Sequence, residues 1–233
     1  MRLWLSIVLV ATGCTTSRQV TPWLRTRIER TPVLYAESGG PRDHVFTERL
    51  VDGHWTVVST CCSAALALPG GRAVFHDDFR LVTSTEQGPS VPLDCSFDSL
   101  RLAPGGERLV CLASTERSAE AAEALPLRVS TWSVDGALLE SRQVALGARM
   151  LPGNFFPHFV GFLDGQPLLS AHVAPFSTTP GLAGFCAAWV LDGLEWRPLA
   201  RLTTSDWPRC HEAAFWRDRL PGNLEPGEAP APP

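Results

Sequence analysis

Short runs in which apolar and polar residues alternate, joined in pairs by glycine turns, recur from about residue 31 to about residue 203. One form is Leu66-Ala67-Leu68-Pro69-Gly70-Gly71-Arg72-Ala73-Val74-Phe75. It returns as Arg101-Leu102-Ala103-Pro104-Gly105-Gly106-Glu107-Arg108-Leu109-Val110 and, more loosely, as Gly161-Phe162-Leu163-Asp164-Gly165-Gln166-Pro167-Leu168-Leu169. A second form places tryptophan three residues before Asp-Gly, as in Trp132-Ser133-Val134-Asp135-Gly136 and Trp189-Val190-Leu191-Asp192-Gly193; Arg49-Leu50-Val51-Asp52-Gly53 is a version without the aromatic. Alternation with period two sends successive side chains to opposite faces of a strand. Asp-Gly between apolar runs signals a hairpin, because both central positions of a type I′ turn need positive φ. No window shows a long helical period, so the pattern predicts an all-β fold of strand pairs.

A hairpin of the first form is followed by one of the second about 30 residues on, and two hairpins make a four-stranded unit. Pro69 and Pro104 lie 35 residues apart, and Gly53 and Gly136 lie 83 apart, close to two units of the ~40 to 45 residues of a propeller blade. In this respect the chain resembles the β-propeller superfamily of WD40-like and related bacterial repeats. The resemblance implies a small propeller-like array of four to five blades, near residues 31–60, 61–95, 96–146 and 155–203. Trp23 to Arg30 and His211 to Leu220 would supply closing strands, within a domain spanning 23–220. A β-sandwich made from the same hairpins is the alternative. The 57 residues between Gly136 and Gly193 exceed one unit and call for an insertion, placed at Gly147 to Pro157. Ser118 to Leu125 is alanine-rich, ends at Pro126 and reads as a short helical turn.

At the N-terminus, Arg2 precedes the apolar run Leu3-Trp4-Leu5-Ser6-Ile7-Val8-Leu9-Val10, which has the length of a secretory core and falls short of the ~20 residues that span a bilayer. It closes on Ala11-Thr12-Gly13-Cys14, which resembles a bacterial lipoprotein signal with its lipobox. That resemblance implies removal of residues 1–13, a diacylglyceryl group on the Cys14 thiol and an acylated mature N-terminus. Two or three acyl chains, at about 0.8 kcal/mol per buried methylene, anchor stably where one binds only marginally. Thr15 follows the cysteine, and by the family's sorting rule this implies the outer membrane. Residues 14–22 then read as lipidated cysteine and polar tether, and the proline-rich 221–233 as a disordered tail.

Seven cysteines minus Cys14 leave Cys61, Cys62, Cys95, Cys111, Cys186 and Cys210, an even number that reads as disulfides in an exported chain. The sequence does not choose among their pairings. Adjacent Cys61 and Cys62 on a strand point to opposite faces, which implies different partners or one buried thiol. There is no Cys-x-x-Cys pair and no zinc spacing. All 20 basic residues are arginine, which excludes lysine Schiff-base, general-base and P-loop chemistry. The formal charge of -4 falls by one more once Arg2 is removed, so no electrostatic footprint for nucleic acid exists.

Gly-x-Ser-x-Gly, Ser-x-x-Lys, His-Glu-x-x-His and glycine-rich phosphate loops are all absent. The weak catalytic candidates are His76, Asp77 and Asp78, which cluster between two strands, with His211 and Glu212 as residues that could join them. Asp-Asp between strands also serves as a plain turn. His44 and His54 flank one hairpin, while His158 and His172 stand beside aromatic or apolar residues as surface or core groups. Trp55, Trp132, Trp189, Trp196, Trp207 and Trp216 could line a sugar platform or fill the core; Trp132 and Trp189 hold equivalent repeat positions and read as core, Trp207 and Trp216 as less constrained. Phe155 to Phe159 is the densest aromatic run, a partner patch if exposed. No cofactor and no metal site is expected. The sequence supports a lipid-anchored envelope protein that binds or scaffolds an envelope protein or polysaccharide, with an envelope-polymer hydrolase, a carbohydrate-binding protein and a purely structural lipoprotein as alternatives.

Overall fold

The structure is a computed structural model that describes residues 15–31, 42–60, 65–78, 80–95, 99–114, 124–147, 156–173 and 184–226. It is all-β, with four antiparallel sheets, each begun by four strands taken in chain order. The first sheet is β1 (Thr15–Thr21), β2 (Leu24–Thr31), β3 (Arg42–Val51) and β4 (His54–Ser59). The second is β5 (Leu66–Leu68), β6 (Arg72–Asp77), β7 (Arg80–Ser84) and β8 (Val91–Pro92). The third is β9 (Leu100–Leu102), β10 (Arg108–Ser114), β11 (Ala124–Ser133) and β12 (Leu138–Gly147). The fourth is β13 (Phe156–Leu163), β14 (Gln166–Val173), β15 (Gly184–Asp192) and β16 (Glu195–Thr204), with β17 (Leu224–Glu225) added beside β13.

The glycine turns form as hairpins, but not all in one way. Asp52-Gly53 (φ 50° and 79°) and Asp164-Gly165 (φ 49° and 79°) take positive φ at both positions, as type I′ requires. At the other two Asp-Gly turns only the glycine does. Asp192 pairs with Glu195, so Gly193 (φ 60°) opens a Gly-Leu turn of the II′ pattern. At Asp135-Gly136 the Gly136 amide donates to the Ser133 carbonyl and the Ser133 amide to that of Ala137, a loop one residue longer that ends on a left-handed glycine.

The sheets stack face to face in chain order. Trp23 and Leu24 of the first meet Ala73, Phe75 and Val82 of the second, and Trp23 and Phe75 pack edge to face at 6.1 Å. Leu66, Leu68 and Val74 meet Leu100, Leu109 and Trp132 of the third. On the opposite face of the third sheet, Val110, Leu112, Leu127 and Val129 meet Phe159, Leu169, Ala187 and Trp189 of the fourth. Trp132 and Trp189 are both buried, each against the preceding sheet, as their equivalent positions imply. First strands adjoin first strands (β1 with β5, β9 with β13), and β12 adjoins β16. Among the described residues, no core cluster joins the first sheet to the fourth.

Four strands return the chain to the end at which each sheet began. The turns after first and third strands therefore collect at one end, and the other connections at the opposite end. Hydrogen bonds hold the sheets in this alignment. At the turn end, Trp23 Nε1 donates to the Gly71 carbonyl at 2.9 Å, and Arg49 Nη2 to the carbonyls of Thr85, Glu86 and Gly88 at 2.9, 2.7 and 3.1 Å. At the connection end, Ser59 Oγ donates to the Asp78 carbonyl and the Asp78 amide to that of Val58.

Several expectations are corrected. Residues 15–21, read as tether, are β1, paired with β2 from Thr15↔Glu29 onward. An edge strand with a solvent-facing run of Thr, Ser, Arg and Gln has the composition of a linker, and only its pairing separates the two. Trp23 to Arg30, assigned to closure, lies instead in the body of the first sheet. His211 to Leu220 gives no strand but a short helix, α1 (Ala213–Arg217). Within the supposed tail, Leu224 and Glu225 pair with Leu163 and Phe162. Ala124 and Leu125, placed in a helical turn, pair with Gly147 and Leu146. Four sheets, not two, also set the array apart from a two-sheet sandwich. The rest of 118–125, the core of the insertion after Gly147, residues 1–14, Cys61, Cys62 and residues 227–233 lie outside the described residues.

The first sheet's far face is charged. Glu48, 4% exposed, accepts from Arg25 Nε at 2.6 Å and Arg27 Nε at 2.7 Å, and the guanidinium groups lie over Trp55 and Phe46. Burial pushes the Glu48 carboxyl up, but the bonds from Arg27 and Arg25 together hold it below its ordinary range. Its stabilisation is therefore present above the unfolded carboxylate pKa and lost as pH falls through the lower folded value. Glu48→Gln is expected to flatten the rise in Tm between about pH 3 and pH 5, and to cost on the order of 2 kcal/mol at neutral pH, less than a fully buried pair because both arginines are partly solvated. Leu109→Ala, at a position with no exposure between the second and third sheets, is expected to cost about 2 to 5 kcal/mol in denaturant unfolding.

Candidate functional site

His76 and Asp77 end β6, paired with Leu81 and Arg80, and Asp78 opens the turn to β7 with φ 54°. An open groove of about 430 Å³ runs past Asp77, Asp78, Arg80, Ser90 and Pro92. His211 and Glu212 sit elsewhere, in the segment that follows β16, with Glu212 held by Arg209 at 3.1 Å. In stacking order the third and fourth sheets lie between the two groups, so the five candidates do not converge. Among the described residues, no group of three His, Cys, Asp or Glu side chains is placed to hold a metal ion.

What does converge is a histidine cluster at the far face of the fourth sheet. There a cap of residues 205–224 covers Val160, Leu168, Ala188 and Val190 with Phe215, Trp216, Leu220 and Leu224. Cys186 of β15 is bonded to Cys210 of the cap, with Cα atoms 6.0 Å apart. Trp216 is fully buried; its Nε1 donates to the Cys210 carbonyl at 2.7 Å and to Ser170 Oγ at 3.2 Å. Each large apolar side chain of this kind contributes about 1.5 to 3 kcal/mol. The second disulfide, Cys95–Cys111, ties the link between the second and third sheets to β10, Cα to Cα 6.1 Å. Two pairings are thus assigned that the sequence left open.

At the edge of this cap His158 and His172 stack in parallel, ring centres 5.4 Å apart. His211 stands 5.8 Å from His158, and Trp207 lies 5.4 Å from His172. Trp207 lies against Gly184, where a Cβ would fall 2.3 Å from the indole Cγ. His158 and His172 share a face because β13 is irregular: the register slips between Phe159 and Gly161, so that His158 pairs with Ser170, two residues from His172. With the unbroken register of the Leu163↔Gln166 turn, His158 would oppose Ala171 and face the other way. The bulge is the signal that reading the histidines singly missed.

Burial first, and the charge of His211 second, hold His172 below its ordinary pKa. Its Nδ1 is buried and has no hydrogen-bond partner among the described residues. The arrangement thus favours a neutral imidazole at neutral pH and opposes the accumulation of protons.

The tryptophans form no joint exposed platform. Trp132, Trp189, Trp196 and Trp216 are buried, and Trp55 carries Arg25 over its ring at 4.2 Å. Trp216, read as less constrained, is core. Phe159 of the aromatic run is core too. No protein-family model matches the chain, and no curated protein matches it.

Because His172 has a folded pKa below its unfolded value, the stability it lends the cap is complete above the unfolded histidine pKa and falls as pH drops through it. Acidification from about pH 7.5 to pH 5 is expected to raise amide exchange in residues 207–216 ahead of the sheets, and His172→Gln to flatten that profile. An identical profile in the variant would show that His172 does not govern the cap.

Proposed function

We propose that this chain is a lipid-anchored cell-envelope protein whose propeller-like array of sheets serves as a binding or scaffold module. The lipobox-like Ala11-Thr12-Gly13-Cys14 supports the anchor, and the two disulfides accord with an exported chain. Among the described residues, no helix is long and apolar enough to cross a membrane. The propeller-like reading draws support from the sequential meanders and from first strands lying beside first strands. The charged far face of the first sheet and the capped far face of the fourth favour an open array over a closed ring.

The observation that carries the binding reading is at the turn end. Leu138 and Leu139 follow the β11–β12 turn at 57% and 56% exposure, and Leu194 sits in the β15–β16 turn at 74%. Because β12 adjoins β16, these apolar side chains lie on neighbouring hairpins. Apolar groups gathered on a rigid rim suit a partner surface. The partner class that fits the compartment is an envelope protein or polysaccharide.

Crosslinking of the lipidated protein in intact envelopes, followed by detergent extraction, is expected to trap a recurrent partner. Leu139→Glu with Leu194→Glu should cut that yield by about tenfold, a loss of about 1.4 kcal/mol or more, without altering the β circular dichroism. A yield unchanged by the double variant would sink the assignment of the turn end.

A further inference from the structure

We infer that β12 pairs with β12 of a second copy of this chain, joining the third sheets of two molecules into one continuous antiparallel sheet. The inference goes beyond the binding reading above and does not rest on the lipid anchor. β12 ends its sheet, so one side of its backbone has no strand beside it among the described residues. The other sheet edges are short or blunted, as exposed edges generally must be. β5 and β9 have three residues each; β8 and β17 have two, with Pro92 in the first and Pro226 after the second. β4 gives its Val58 carbonyl to Asp78, β16 carries Pro198 beside a bulge, and β1 slips register between Gln19 and Thr21. β12, by contrast, runs for ten residues without proline and pairs with β11 unbroken from Glu140 to Gly147. Leu138 to Ser141, Gln143 and Ala145 on it are exposed. A long open edge of this kind is a template for another strand, with main-chain bonds giving affinity and side-chain pairs setting register.

The charge pattern selects a second copy as the occupant. Glu140 and Arg142 stand two residues apart and so share a face of the strand. Arg142 Nε lies 3.4 Å from Glu140 Oε1, yet it is buried with no hydrogen-bond partner among the described residues. Antiparallel pairing about a two-fold axis at Ser141 sets Glu140 opposite Arg142 of the second copy, and Arg142 opposite that copy's Glu140. The four charges then form a square in which every neighbour has the opposite sign. In the same register Leu138, 57% exposed, comes to lie opposite Val144, and Leu139 opposite Gln143. Moving the axis to Arg142 would set arginine against arginine, and moving it to Glu140 would set glutamate against glutamate, both destabilising. Both charges find opposite partners in this register alone. The edge is thus self-complementary, as a two-fold contact requires.

At the axis the two Ser141 Cα atoms would stand about 4.5 to 5.5 Å apart, within reach of a disulfide. Ser141→Cys protein, oxidised with copper phenanthroline in intact envelopes, is expected to run as a dimer on a non-reducing gel, against the unsubstituted protein as blank. Mass spectrometry should find the link between the two introduced cysteines. Gln143→Cys lies on the same face but off the axis, and should link to itself about tenfold less. In sedimentation equilibrium of the detergent-solubilised protein, Glu140→Arg is expected to raise the dimer dissociation constant about tenfold. Adding Arg142→Glu to it should restore the dimer, because the square re-forms with its signs exchanged; a general loss of folding would not be reversed in this way. The pairing is wrong if position 141 links to no second copy or only to a different protein, if position 143 links as well as 141, or if the double variant stays as dissociated as the single.

Discussion

Leu109 and Cys111 face the second sheet, while Val110 and Leu112, alternating with them on the same strand, face the fourth. This double-sided burial of the middle sheets is the constraint from which the rest follows. A sheet with two buried faces cannot display the apolar–polar alternation of a surface strand, so β10 reads as a nearly continuous apolar run. It also needs a neighbour on each side, and short connections make the sheets nearest in sequence the nearest in space. Sequential stacking then requires an even number of strands before each crossing, four here, because an odd number would deliver the chain to the wrong end for a short link. The collection of the turns after first and third strands at one end is thus a consequence of packing.

A stack built this way has two faces left over, and the molecule closes them by different means. On the first sheet the answer is polar. Arg25 and Arg27 neutralise Glu48, and their guanidinium planes cover Trp55 and Phe46, leaving a surface suited to water. On the fourth it is covalent and apolar, with Cys186–Cys210 fastening a cap whose Trp216 is buried on the sheet. Repeat arrays in general need atypical terminal faces of this kind, since each interior face is apolar and would otherwise recruit another copy.

Much of this is legible in the sequence. The turn sequences at Pro69-Gly70-Gly71, Pro104-Gly105-Gly106, Asp135-Gly136 and Asp192-Gly193 located hairpins correctly, because positive φ is a local demand that few residues meet. Trp132 and Trp189 were legible as core from their equivalent places. What escaped were features whose cause lies outside the local run. β1 reads as a linker because half its environment is solvent. The cap reads as one more strand because Phe215 and Trp216 are apolar neighbours, though they sit on a single helical turn. Asp77 and His211 are chemically suggestive in sequence, yet two sheets stand between them.

The histidine cluster shows how small such a non-local cause can be. A one-residue slip in β13 decides whether His158 faces the third sheet or the cap. That slip falls at Gly161, where a Cβ would lie 2.5 Å from the Glu225 carbonyl, so the bulge and the docking of β17 demand the same glycine. β17 in turn closes the cap, which brings His211 and Trp207 to the pair. The grouping of three imidazoles is therefore not separable from the device that covers the last sheet. A chain that used an unbroken hairpin here would keep all three histidines in sequence and lose the cluster.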